Sequence, residues 1–132
     1  MQRALRTAQL ARFEDLQVTD LLEEFDYGMY EGLTTQQIHE KNSTWELFKD
    51  GCPGGESPDE VYTRARRFID LAIQHKGTRA LAFAHGHIIR AIAVAWINAS
   101  ITLATNLQLD VAALNIVRDG DHGRVIALWN ET

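Results

Sequence analysis

Residues 78–97 read TRALAFAHGHIIRAIAVAWI, and the change of pattern inside this stretch decides the fold. Ala80 to Ala84 is a short apolar run of the length that suits a strand buried on both faces. The run breaks at His85-Gly86-His87. From Ile88 the chain is apolar again for about a dozen residues, which is long enough for a helix. A buried strand, a Gly-containing turn and a helix put the turn at the carboxyl end of a strand, where open α/β sheets bind ligands. The helix start offers unpaired N–H groups and the positive end of the macrodipole, so it suits an anion, phosphate above all. Two histidines there, with Arg90 one turn on, fit something negative. Three residues alone are a weak motif, and a phosphate site, a metal pair and a plain turn all remain open at this point.

The chain has 132 residues, 45% apolar and 23% charged, which is one globular domain with a sizeable core. Its net charge of −5 argues against nucleic acid or an anionic membrane as the main partner, since either would select a basic excess. Cys52 is the only cysteine, so no internal disulfide is possible, which fits a cytoplasmic location. The first residues, MQRALRTAQLARF, have no signal-peptide core, and the run Ala91 to Ile97 is too short to span a bilayer.

Outward from the central stretch, Gln2 to Phe13 predicts a helix with no capping residue before it. Met1 reads equally as an initiator or as an arbitrary start inside a longer domain. Val18 to Phe25 gives conflicting signals, extended or short helix. It leads into Asp26-Tyr27-Gly28-Met29-Tyr30-Glu31-Gly32, a loop with aromatic anchors that makes Glu23, Glu24 and Glu31 candidate acid–base groups. Each alone reads as well as a solvated surface carboxylate. Thr34 to Lys41 is a short helix, with Thr34 and Gln37 as a capping box. Trp45, Leu47 and Phe48 form an apolar cluster. After the turn-rich Asp50 to Gly55, Ser57-Pro58-Asp59-Glu60 is a strong helix start. That helix runs to about His75, with a stripe of Val61, Ala65, Phe68 and Ala72, with Arg64, Arg66 and Arg67 on its polar side, and with Gly77 as its stop. Thr102 to Asp110 is hard to assign. Ala113 to Arg118 reads as a strand buried on both sides, paired as a hairpin with Arg124 to Trp129 through Asp119 to Gly123. His39, His75 and His122 read as surface residues.

Taken together, these segments resemble the histidine phosphatase superfamily, the phosphoglycerate mutase-like fold, over nearly the whole chain. Gln2-Arg3-Ala4 with Thr7-Ala8 resembles the helix that brings a phosphate-binding arginine. Leu22-Glu23-Glu24, then Tyr27-Gly28 and Glu31-Gly32, is similar to the segment of the acid–base glutamate. Gly55-Glu56-Ser57 resembles the entry to the next helix, and Ala84-His85-Gly86-His87 through Arg90 the second histidine segment. Four such segments in the right order are specific, and Asp50 to Ser57 looks more like the phosphatase branches than the glycolytic mutases. The resemblance implies a three-layer α/β/α sandwich with a mostly parallel central sheet. It implies Glu24 and His85 as catalytic residues and Arg3, Gly86, His87 and Glu31 as substrate-binding ones. It implies phosphate or a small phosphorylated metabolite as ligand, and no metal or cofactor.

The departure from the family is as informative. The family's chemistry starts at an Arg-His-Gly segment ending the first strand, whose histidine becomes phosphohistidine. No Arg-His-Gly occurs here. The expectation is a single, N-terminally incomplete domain, missing the first strand and inactive as given. The alternative is a pseudo-enzyme that binds phosphate or a phosphorylated partner without turnover. Neighbours of a missing central strand are left with unpaired backbone groups, so a homo-oligomer is expected.

Overall fold

The computed structural model describes residues 2–75 and 79–132. Five helices and one hairpin organise them: α1 (Gln2–Leu10), α2 (Thr35–Lys41), α3 (Leu47–Asp50), α4 (Pro58–Gln74), α5 (Gly86–Trp96), β1 (Leu114–Gly120) and β2 (Gly123–Glu131). Short 3-10 turns cover Asp20–Leu22, Gly28–Tyr30 and Ile101–Asn106. The second of these lies in the Asp26 to Gly32 loop. The first resolves the conflict over Val18 to Phe25: its centre coils for one turn while its flanks stay extended.

Local signals decide the two best-defined helix starts. Thr34 caps α2 by accepting from the Gln37 N–H, and the Gln37 side chain returns the bond. Ser57 and Glu60 do the same for α4, with Pro58 in the first turn. α4 ends at Gln74, close to expectation, while Gly77 lies outside the described residues. Its buried stripe is Val61, Ala65 and Ile69 rather than Phe68 and Ala72, which are only half-buried. Steps of four keep the stripe on one line down the helix, and Ile69 continues that line. α1 stops at Leu10, short of Phe13.

The core lies where α5 packs on α4 and α3 closes one end. Ile88, Ala91 and Ala95 of α5 are almost fully buried, as are Val61 and Ala65 of α4. The Trp45, Leu47 and Phe48 cluster is buried too, with the Trp45 Nε1–H donating to the Gly51 carbonyl at 2.7 Å. No charged or polar side chain is buried among the described residues. Trp96 fastens α5 to the hairpin: its Nε1–H donates to the Arg118 carbonyl at 3.2 Å, and Arg124 lies 4.4 Å over its ring.

The strands require three corrections. Ala80 to Ala84, expected to be a buried strand, forms no ladder, and Leu81 is 57% exposed. A strand exists only with a neighbour to pair its N–H and C=O groups, and none lies beside this segment among the described residues. The hairpin is formed as expected, but β1 is not buried on both sides. Its residues alternate between exposed and half-buried, with a two-residue turn at Asp121-His122. This antiparallel pair is the one sheet among the described residues, where a mostly parallel central sheet was expected. No described helix is long and apolar enough to cross a membrane.

Candidate active site

Glu24 stands at the start of α5. Its Oε1 accepts from the N–H groups of His87 and Ile88, both at 3.1 Å, and its Oε2 lies 3.3 Å from the His87 N–H. These are the donors every helix leaves unpaired in its first turn, and they attract negative charge. The anion expected at this helix start is therefore, in the free protein, the chain's own carboxylate. His85 occupies the cap position but its side chain makes no capping bond. That vacancy is what Glu24 fills from 63 residues away in sequence.

His87 flanks the carboxylate. Its Nδ1 is 3.3 Å from Glu24 Oε2, near enough for charge attraction when the ring is protonated but poorly aligned for a hydrogen bond. Its Nε2 meets the Tyr27 hydroxyl at 3.4 Å. Burial by itself raises the Glu24 pKa. The close approach and charge of the His87 ring, with the backbone N–H groups of Phe25 and His87, more than offset that and hold it at about 2. Tyr27 is pushed up to about 12, by burial first and then by neighbouring negative charge, so its hydroxyl keeps its proton. His85 is held below the ordinary imidazole value, by burial first, with the positive charge of Arg3 adding to it against the pull of Glu24 and Glu23. Its Nε2 is shut from solvent and has no partner among the described residues.

An open cavity of about 650 Å³ brings together four of the six expected site residues, Arg3, Glu24, Glu31 and His87. His85 and Gly86 stand at the helix start, off its lining. A Cβ built on Gly86 would meet nothing within 4 Å, so the chain's own packing does not demand glycine there. Arg90 is also off the cavity, its guanidinium 5.8 Å from the centre of the Phe48 ring. The sequence reading missed Tyr30, which lines the cavity, and the hydroxyl of Tyr27 as a partner of His87. Both had been taken only as anchors. Cys52 is buried, and its thiol is pushed up to about 11 by burial first and then by Asp26 and Glu31, which leaves it unreactive near neutrality.

The arrangement offers a guanidinium, helix-terminal N–H donors and a carboxylate at one opening. These are groups suited to holding a phosphoryl oxyanion and moving a proton. Comparison with known proteins points to a phosphatase family. A family model described as histidine phosphatase superfamily, branch 1, matches residues 1–132. An acid phosphatase of Mycobacterium tuberculosis is 40% identical over 115 residues, which are 86% of this chain and 57% of that protein. The sedoheptulose 1,7-bisphosphatase of Saccharomyces cerevisiae is 34% identical over 60% of this chain and 35% of its own length. The chain thus spans little more than half of the first relative and about a third of the second. The solved structure of an open reading frame product of Mycobacterium tuberculosis superimposes with a TM-score of 0.94 at 37% identity, over 98% of this chain and 68% of that one. An alpha-ribazole phosphatase from Shigella flexneri, at 16% identity and TM-score 0.80, covers 99% of this chain and 70% of that one and shares the α/β fold.

Proposed function

The chain belongs to the histidine phosphatase superfamily, and on that premise we propose that it supplies the phosphate-holding and proton-transferring side of a phosphomonoester hydrolase site. One observation carries the reading: the Glu24 carboxylate rests on the α5 N–H groups at the mouth of a cavity that Arg3 also lines. Arg3 holds phosphate oxygens through its planar fork. His85 and the N–H of Gly86 stabilise charge on the phosphoryl group, while His87 and Glu31 bound the space for the ester. At rest Glu24 is ionised. An arriving phosphate dianion competes for the same N–H donors, and the displaced carboxyl, now beside that dianion, gains affinity for a proton. It then gives that proton to the leaving oxygen as the P–O ester bond breaks.

The nucleophile is the part that these 132 residues do not contain, since they hold no Arg-His-Gly. A phosphohistidine step needs that histidine; by themselves these 132 residues bind without turnover. The alternative reading is a pseudo-enzyme that holds a phosphorylated ligand without turnover. We further propose that the chain forms a single domain of the three-layer α/β/α sandwich type with a mostly parallel central sheet, and that the protein is cytoplasmic. We also propose that the 132-residue chain self-associates, since Ala80 to Ala84 has no paired neighbour for its backbone groups among the described residues.

Calorimetric titration with inorganic phosphate, alongside an assay on a general phosphomonoester, tests the reading. Binding weakened about tenfold or more in Arg3→Ala, without hydrolysis, is expected, as loss of a charged hydrogen bond predicts. Steady hydrolysis by this chain that is abolished in His85→Ala would overturn the assigned inactivity. Phosphate affinity indifferent to Arg3 would overturn the site.

A further inference from the structure

Arg64 was expected on the polar side of α4, yet its side chain is only 15% exposed. Its Nε donates to Glu56 Oε1 and its Nη2 to Glu56 Oε2, each at 2.7 Å, a two-pronged ion pair. The remaining donors are spent on one stretch of backbone. Nη1 donates to the carbonyls of Leu21 at 3.1 Å and Glu23 at 2.7 Å, and Nη2 reaches the carbonyl of Glu24 at 3.4 Å. One guanidinium therefore fastens three of the four carbonyls that end at Glu24.

Glu56 grips the residues just beyond. Its Oε2 accepts from the Asp26 N–H at 3.0 Å, and its own N–H donates to the Asp26 carbonyl at 3.0 Å. The Met29 N–H donates to the Pro53 carbonyl at 2.8 Å. Between these bonds the two backbones touch. A Cβ on Gly55 would stand 2.2 Å from the Asp26 oxygen, and one on Gly28, where φ is +48°, would stand 2.3 Å from the Gly55 nitrogen. Residues 21–29 are thus held along their length by the 53–56 loop and Arg64. Apart from two single 3-10 turns, this segment has no regular structure of its own to hold Glu24 in place.

We propose that Arg64, oriented by Glu56, is a positioning residue that sets the backbone of Leu21 to Asp26 so that the Glu24 carboxylate lands on the first N–H groups of α5. The role needs arginine. A lysine keeps the charge but lacks the planar fork for Glu56, and its three donors are too few for that carboxylate and three carbonyls together. The proposal deepens the phosphatase reading, because it rests on Glu24 being the proton-transfer group, but the clamp can be tested without turnover.

The test follows the Glu24 side-chain carboxyl by carbon-13 NMR as pH is lowered, together with the His87 and Ile88 amide protons at neutral pH. It uses the 132-residue chain and its Arg64→Lys, Glu56→Gln and Ile69→Val variants. The unaltered chain should titrate at about 2. In Arg64→Lys the midpoint should rise by about one pH unit or more, a tenfold change in proton affinity, and the two amide signals should move away from their carboxylate-bonded positions. Glu56→Gln should shift both in the same direction by less, and it decides alone if Arg64→Lys does not fold. Ile69→Val loosens the same helix from inside the core and should leave both readouts in place, which separates positioning from general destabilisation. An unmoved midpoint and unmoved amides in the folded Arg64 and Glu56 variants would overturn the clamp. Adding inorganic phosphate keeps the two readings apart. Failure of the unaltered chain to bind it would refute the phosphate reading, whereas binding with an unmoved Glu24 midpoint in the variants would refute only the clamp.

Discussion

Glu24→Gln removes the charge from α5's first turn while keeping the side chain's shape and one acceptor oxygen. The carboxyl is held at about 2 against an ordinary value of 4.5. At about 1.4 kcal/mol per pH unit, that gap corresponds to about 3 kcal/mol favouring the ionised, folded form. The side chain is 31% exposed, so screening by water brings the expected loss at pH 7 to about 2 kcal/mol. The sign of the pH dependence follows from a folded value that lies below the unfolded one. Between the two the unfolded chain binds more protons, so the contribution is complete above about 4.5 and fades as pH falls toward 2. Urea unfolding followed by tryptophan fluorescence, run in parallel on both proteins from neutral pH into this window, should give two stability curves that converge on acidification. A constant gap across that range, or no gap at neutral pH, would refute the picture of an ionised carboxylate seated on the helix start.

Gly55→Ala should destabilise the fold by about 2 kcal/mol or more, since a Cβ there meets backbone rather than a movable side chain; thermal unfolding reads it. Gly86→Ala is the opposite case. Its Cβ meets nothing, so unfolding should shift by less than about 0.5 kcal/mol. Ser57→Ala breaks the capping box of α4 and should cost about 1 kcal/mol in the same unfolding assay, with phosphate binding intact.

The features legible from the sequence are those set within a few residues. Thr34 with Gln37, and Ser57 with Glu60, announce their helices because each partner lies one turn away. The hairpin is equally local, its strands joined through a two-residue turn. Ala80 to Ala84 failed because apolar composition describes what a strand wants, while pairing depends on a neighbour the pattern cannot supply. Arg64 was misread for a related reason. It sits beside the Val61–Ala65 stripe, and apart from Glu56 its partners are carbonyls of Leu21, Glu23 and Glu24, far earlier in the chain, with no side-chain signature to betray them. Glu24, Glu31 and His87 were candidates from the residues themselves, Arg3 from the resemblance, and the four line one cavity. That the Glu24 carboxylate itself caps α5 was not foreseeable, because the His85 side chain standing at the cap position gave no sign of leaving the helix start open.

The most direct test is a nitrogen-15 NMR titration of the chain with inorganic phosphate, comparing the unaltered protein with Arg3→Ala. Shifts concentrated at the Gly86, His87 and Ile88 amides, accompanied by a rise in the Glu24 titration midpoint and much reduced in the variant, are the predicted result. Shifts scattered over exposed basic side chains, or none at the start of α5, would contradict it.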